Sequence, residues 1–120
     1  MKISIIYDNE TLKEGLREDW GFSCLVEEYD KKILFDSGAN GSILLENMKK
    51  LNIEPETIDE VFISHDHWDH TGGLSDFLKL NPVKVYIPLS CKRPNSTREV
   101  IKVKEPLKIH ENIFSTGELE

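Results

Sequence analysis

His65-Asp66-His67-Trp68-Asp69-His70 gathers three of the chain's four histidines and two carboxylates into six consecutive positions. Imidazole nitrogen and carboxylate oxygen are suitable ligands for zinc, iron or manganese, and four such groups on one turn can reach two adjacent ions. A structural zinc site would draw on cysteines or a closed four-ligand set. An all-His/Asp set leaves room for water and so points to catalysis. Thr71-Gly72-Gly73 follows at once, and the glycine pair reads as a tight bend that lets the backbone start a helix.

The elements that must hold this array can be read outward from it. Val61-Phe62-Ile63 is a compact apolar strand running straight towards His65, and Leu74, Phe77 and Leu78 repeat at i, i+3, i+4 as a short amphipathic helix beyond the glycines. Upstream, Ile3 to Tyr7 reads as a strand ended by Asp8-Asn9, with a polar loop over 10–19. Phe22 to Glu28 and Ile33-Leu34-Phe35 read as a hairpin turning through Asp30-Lys31-Lys32. Asn40 or Ser42 can cap a helix carrying Leu44, Met48 and Leu51 on one face, widened by Leu45, with Lys49 and Lys50 at its negative end. Pro55 interrupts the chain before the Val61 strand. Val83 to Ile87 alternates as a further strand ending at Pro88. The segment 88–106 is polar and basic, read as a solvated loop or, alternatively, a substrate-facing one, with a strand available at 100–103; Ile109 and Ile113-Phe114 suggest a last strand or hairpin. The order strand, strand, helix, strand, helix, strand predicts an α/β protein.

Composition narrows the function classes. The 120 residues fit a single domain, 1–120. Every apolar run is broken by charge well short of the roughly 20 residues a membrane span needs, so no membrane partner is expected. The start of the chain lacks the apolar core and cleavage site of a signal peptide, which sets the expectation of a cytoplasmic protein with Cys24 and Cys91 reduced. A net charge of −7 opposes a broad polyanion-binding surface, so nucleic acid is not the expected partner. It leaves an anionic small molecule open, because bound divalent ions reverse the local field.

The motif His-x-His-x-Asp-His after an apolar strand, followed by Thr-Gly-Gly, resembles the signature of the metallo-β-lactamase superfamily. Ile33-Leu34-Phe35-Asp36-Ser37-Gly38 resembles that superfamily's upstream motif, an apolar strand ending in Asp-x-Gly. Tyr7-Asp8-Asn9, Gly21-Phe22-Ser23 and Thr116-Gly117-Glu118 are similar to a subgroup related to dihydropterin-ribofuranosylaminobenzene phosphate synthases. The resemblance implies half of an αββα sandwich, a mixed sheet flanked by helices. It implies that His65 and His67 bind a first metal and Asp69 and His70 a second, with two divalent ions in the complete site, zinc foremost and iron or manganese as alternatives. Asp36 would stand behind the ligands, holding one of them or the loop by hydrogen bonds; its bland alternative is a turn carboxylate capping local amides. Asp66 and Trp68 fall at variable positions of the motif, and His110 reads as a surface histidine.

The activity so implied is metal-dependent hydrolysis, an activated water attacking a carbonyl or phosphorus centre of a small metabolite, with Asp69 also orienting the nucleophile. A lactonase or thioesterase is the main hydrolytic competitor, and a transferase-like role in pterin metabolism is the narrower alternative. The superfamily's remaining ligands come from a second half that this chain does not offer after His70. The expectation is therefore an N-terminal part of a longer domain, or a half-domain completed by self-association or another chain. A non-catalytic metal-binding module is the competing class. In each case an apolar sheet face lacking its cover predicts association or poor solubility.

Overall fold

The computed structural model describes residues 1–10, 15–65, 67–90, 99–110 and 113–115. Six strands form one mixed sheet in sequential order: β1 (Lys2–Tyr7), β2 (Ser23–Glu28), β3 (Lys31–Phe35), β4 (Glu60–Phe62), β5 (Lys84–Pro88) and β6 (Val100–Val103). The first three pair antiparallel, through the expected β2–β3 hairpin. From β3 to β6 every pairing is parallel, and the β3–β4 and β4–β5 connections are the crossovers that parallel strands require. The β3–β4 crossover carries α1 (Gly41–Lys50) and the β4–β5 crossover carries α2 (Trp68–Thr71) and α3 (Leu74–Leu80). A separate hairpin, β7 (Leu107–His110) with β8 (Ile113–Ser115), follows. The strand available at 100–103 and the terminal hairpin are thus both present.

One face of the sheet is the core. Leu25, Leu34, Val61 and Val85 are aligned across four strands by register, and they share a buried cluster with Leu44 and Met48 of α1 and Phe77 and Leu78 of α3. Each such side chain taken fully from water contributes about 1.5–3 kcal/mol, so this face outweighs any surface interaction in the molecule. The α1 cap is Asn40, whose side chain accepts from the Ser42 and Ile43 amides, while Lys49 and Lys50 occupy the last turn. Alternation along the strands places a second row on the opposite face: Ile5, Cys24, Phe35, Phe62, Tyr86 and Ile101, again in register. Phe35 stacks on Phe62 at 5.9 Å between centroids, and Phe62 on Tyr86 at 6.2 Å. At the β1 end this face is open, with Ile3 58% and Ile5 46% exposed.

Cys24 lies in that row as a buried free thiol. Burial, and then the nearby charge of Asp36, push it up to about 11, so it stays protonated and unreactive at neutral pH. Cys91 lies outside the described residues, as does the rest of 91–98 within the basic stretch 88–106. Among the described residues no helix is long and apolar enough to cross a membrane.

Two details differ from the sequence reading. Pro55 opens a short 3-10 turn, Pro55–Thr57, with proline at its start, where a missing amide proton costs nothing. The histidine array is not carried by a turn alone: Trp68 to Thr71 wind into helix α2, with His67 as its N-terminal cap residue. A four-residue helix falls below the length at which apolar periodicity can register.

Candidate metal centre

The array sits where β3 and β4 end, at the carboxyl edge of the parallel strands, the usual location of sites in such sheets. β3 delivers Asp36, and β4 continues through Ile63 and Ser64 into His65. The Asp36 amide donates to the Phe62 carbonyl at 2.8 Å, tying the two strand ends together. The α2 segment is locked to the β3 end in turn, since the Ser37 amide and hydroxyl both donate to the His70 carbonyl, at 2.7 and 2.9 Å.

Asp36 is the hub. Its side chain is almost fully buried. One carboxylate oxygen accepts from the Ser64 amide at 2.7 Å; the other accepts from the Ser64 hydroxyl at 2.6 Å and pairs with His70 Nδ1 at 2.7 Å. The residue adopts φ +57°, a left-handed conformation that costs a non-glycine residue about 1–3 kcal/mol. Three hydrogen bonds to a charged acceptor, at about 1.5–3 kcal/mol each, outweigh that strain. Asp36 is therefore more than a turn carboxylate capping local amides: it reaches the His70 ring as well.

These bonds also fix the imidazoles. An ionised carboxylate can only accept, so His70 Nδ1 must carry the proton in that bond. Ser64 has a single hydroxyl proton, and it goes to Asp36. His65 Nδ1, 2.7 Å from the Ser64 oxygen, must then donate to it. In the neutral form each ring then leaves Nε2 unprotonated, the atom with which a neutral imidazole binds a metal. Burial first, and then the neighbouring His70 and His67, lower the His65 pKa, which favours the same neutral form.

The His65 ring lies 4.2 Å from that of His70 and 4.6 Å from that of His67, centroid to centroid. An Asp69 carboxylate oxygen stands 3.8 Å from His70 Nε2. All four residues expected as ligands are thus brought to one place. The tightest group of potential ligand atoms, all within 4.8 Å, is Asp36, His65 and His70; His67 and Asp69 border it. Asp36 belongs to that group by distance, but its oxygens already serve three donors, which suits it to orienting ligands rather than binding an ion. Two bare imidazole nitrogens beside a carboxylate match the donor preferences of a divalent transition metal.

Two residues escaped the sequence reading. Ser64 relays the Asp36 charge to His65, and its only signal was a small hydroxyl residue directly before the first histidine of the array. Asn47 has its side chain buried in α1, donating to the Ile6 and Arg17 carbonyls at 2.9 and 3.0 Å and accepting from the Arg17 amide at 3.0 Å. It thereby holds the loop before β2 against the helix; a lone polar residue within an apolar pattern was the available hint. Asp66 lies outside the described residues, Trp68 is exposed, and the His110 side chain is outside the description.

The architecture is a mixed sheet with helices on one face and a histidine/carboxylate cluster at its carboxyl edge. The family model described as the metallo-beta-lactamase superfamily matches residues 20–112, and the chain belongs to that superfamily. Among solved structures, Tm1679, a metal-dependent hydrolase of the beta-lactamase superfamily, superposes with a TM-score of 0.71 at 27% identity over 93% of this chain and 46% of that one. The 7,8-dihydropterin-6-methyl-4-(beta-D-ribofuranosyl)-aminobenzene-5'-phosphate synthase of Methanocaldococcus jannaschii is 46% identical over 63 residues, 49% of this chain and 21% of its own length. Ribonuclease Z of Nanoarchaeum equitans is 34% identical over 99 residues, 74% of this chain and 30% of its own. The chain therefore matches less than half the length of each of these relatives.

Proposed function

We propose that this chain supplies half of the metal centre of a metal-dependent hydrolase acting on a small metabolite. The observation that carries the reading is the Asp36 hub, which sets the Nδ1 proton of His70 directly and that of His65 through Ser64, leaving two Nε2 atoms for metal. His65 and His67 would hold one ion and Asp69 and His70 a second, with zinc the first choice and iron or manganese alternatives. Such ions, when bound, supply Lewis acidity and an activated water for attack on a carbonyl or phosphorus centre. The part played by this chain's own residues is positional. Asp36 and Ser64 prevent the rings from turning, Ser37 clamps the α2 backbone, and Asp69 presents an acceptor beside His70 that can orient the attacking nucleophile.

The open end of the second sheet face, at Ile3 and Ile5, fits a further layer contributed by additional chain, a partner or a second copy. The similarity to a pterin phosphate synthase favours a phosphorylated or pterin-like metabolite over a polynucleotide, and so does the net charge of −7. To test the reading, the protein carrying this chain is incubated with chromogenic carboxylic esters, lactones and phosphate esters, before and after chelation. Hydrolysis that disappears on chelation and returns with zinc, iron or manganese is expected. Turnover unaffected by thorough metal removal would contradict it, as would a fully metal-loaded protein inert towards every ester class.

A further inference from the structure

The chain has two tryptophans, Trp20 and Trp68, and each leaves 66% of its surface exposed. A single exposed aromatic side chain is ordinary at a protein surface, so what matters is whether the two lie on adjoining backbone. The two are far apart in sequence, yet the residues that follow them are in contact. Gly21 approaches Asp69 so closely that a Cβ there would come within 1.9 Å of the Asp69 carbonyl oxygen. The Phe22 amide donates to that same oxygen at 3.3 Å. Gly21 also takes φ +118°, so close approach and backbone conformation both require glycine.

The backbone around Trp20 is held from several directions. The Asn9 side chain accepts from the Gly21 amide at 2.8 Å, the Asp19 amide donates to the Asp8 carbonyl at 3.2 Å, and the Tyr7 hydroxyl donates to the Asp19 carboxylate. Trp68 is fixed by its place in α2, one residue before Asp69. Two exposed indoles are thus carried on pinned backbone segments that meet at Asp69, and pinning lowers the ordering cost of binding. A cleft of about 490 Å³, lined by Asn9, Glu10, Glu18, Asp19 and Trp20, adjoins one of them.

We infer that Trp20 and Trp68 form a stacking surface for a planar, uncharged heterocyclic ring of the substrate, placed so that the rest of the substrate reaches the metal centre. This inference rests on the metallohydrolase reading for the identity of the centre. Indole offers a large rigid face at small entropic cost. Three carboxylates in the adjoining cleft, on a chain of net charge −7, disfavour a phosphate-rich strand and do not oppose an uncharged ring.

With only two indoles in the chain, tryptophan fluorescence reads the site directly. The intact protein is titrated with pterin, with a single-stranded oligodeoxythymidylate in physiological salt, and with a non-planar sugar phosphate. Saturable quenching by pterin alone is expected. Trp20→Ala and Trp68→Ala should each weaken pterin binding about five- to tenfold, while Trp20→Phe and Trp68→Phe retain most of it and bound metal is unchanged throughout. Alanine variants that bind pterin as the parent does would overturn the inference, and so would tighter binding of the oligonucleotide. Repeating the titration on chelated protein separates the two readings. Stacking should survive metal removal, so metal binding without quenching overturns only the stacking surface, whereas saturable quenching in a protein unable to bind metal overturns only the metal centre.

Discussion

Asp36→Asn is expected to lower metal affinity about 10- to 100-fold while the backbone fold persists. The replacement has nearly the shape of the original, so the effect isolates charge and acceptor capacity. Three donors converge on this carboxylate: the Ser64 amide, the Ser64 hydroxyl and His70 Nδ1. An amide offers a single oxygen to them, and its NH2 group confronts at least one donor with another. A buried donor left unpaired costs about 1–3 kcal/mol, and the charge assistance to the remaining bonds is lost as well. A stability loss of about 2–4 kcal/mol follows, read as a melting temperature lower by roughly 10 °C or more. The metal effect arises separately. Once Asp36 no longer dictates the proton on His70 Nδ1, and through Ser64 on His65 Nδ1, either ring can present the wrong nitrogen. Equilibrium dialysis with elemental analysis, performed where circular dichroism shows the variant folded, separates the two effects. Parent-like metal affinity in folded Asp36→Asn would show that the hub does not orient the ligands.

Gly72→Ala sets two effects against each other. Gly72 has φ −59° and ψ −32° at the end of α2, an ordinary right-handed conformation in which helix propensity alone would favour alanine by about 1 kcal/mol. Sterics oppose it: the added Cβ would stand 2.1 Å from the Ala39 carbonyl oxygen and 2.7 Å from that of Trp68, both backbone atoms that cannot rotate away. The clash should win, with a net loss of about 2 kcal/mol or more. It should also push α2 away from the β3 end, lengthening the Ser37 bonds to the His70 carbonyl and displacing His70 from Asp36. Thermal denaturation together with a metal titration checks both parts. A variant more stable than the parent would mean that the Ala39 loop yields easily and that propensity prevails.

That second case also shows where sequence reading reaches its limit. The glycine pair was legible as a requirement and was read as a bend, yet both residues are right-handed. The constraint is the close passage of the Ala39 and Ser37 carbonyls, a contact some thirty residues away that local pattern cannot express. Elements with strong periodicity were legible for the converse reason: Leu44 and Met48 lie fully buried on the predicted face of α1, and Phe77 and Leu78 on that of α3. The apolar runs feeding Asp36 and His65 were legible as strands. The four-residue helix at Trp68 was too short to register. Ser64 and Asn47 were missed because their roles are pairings across the fold, set by what β3 and the loop before β2 bring to them. The histidine array itself was plain in the sequence, whereas the arrangement of its protons became readable only with Asp36 in place.

Asp36 and Ser64 together hold His65 and His70 with Nδ1 protonated, which in the neutral rings leaves Nε2 open for a divalent ion. Long-range proton–nitrogen correlation spectra of histidine-labelled protein, recorded without metal and during zinc addition, test it most directly. Nδ1–H signals for His65 and His70 are expected before metal, with zinc-dependent shifts at their Nε2 nitrogens that saturate at a fixed stoichiometry. Nε2–H tautomers in the metal-free protein, or zinc shifts confined to Nδ1 or absent altogether, would contradict it.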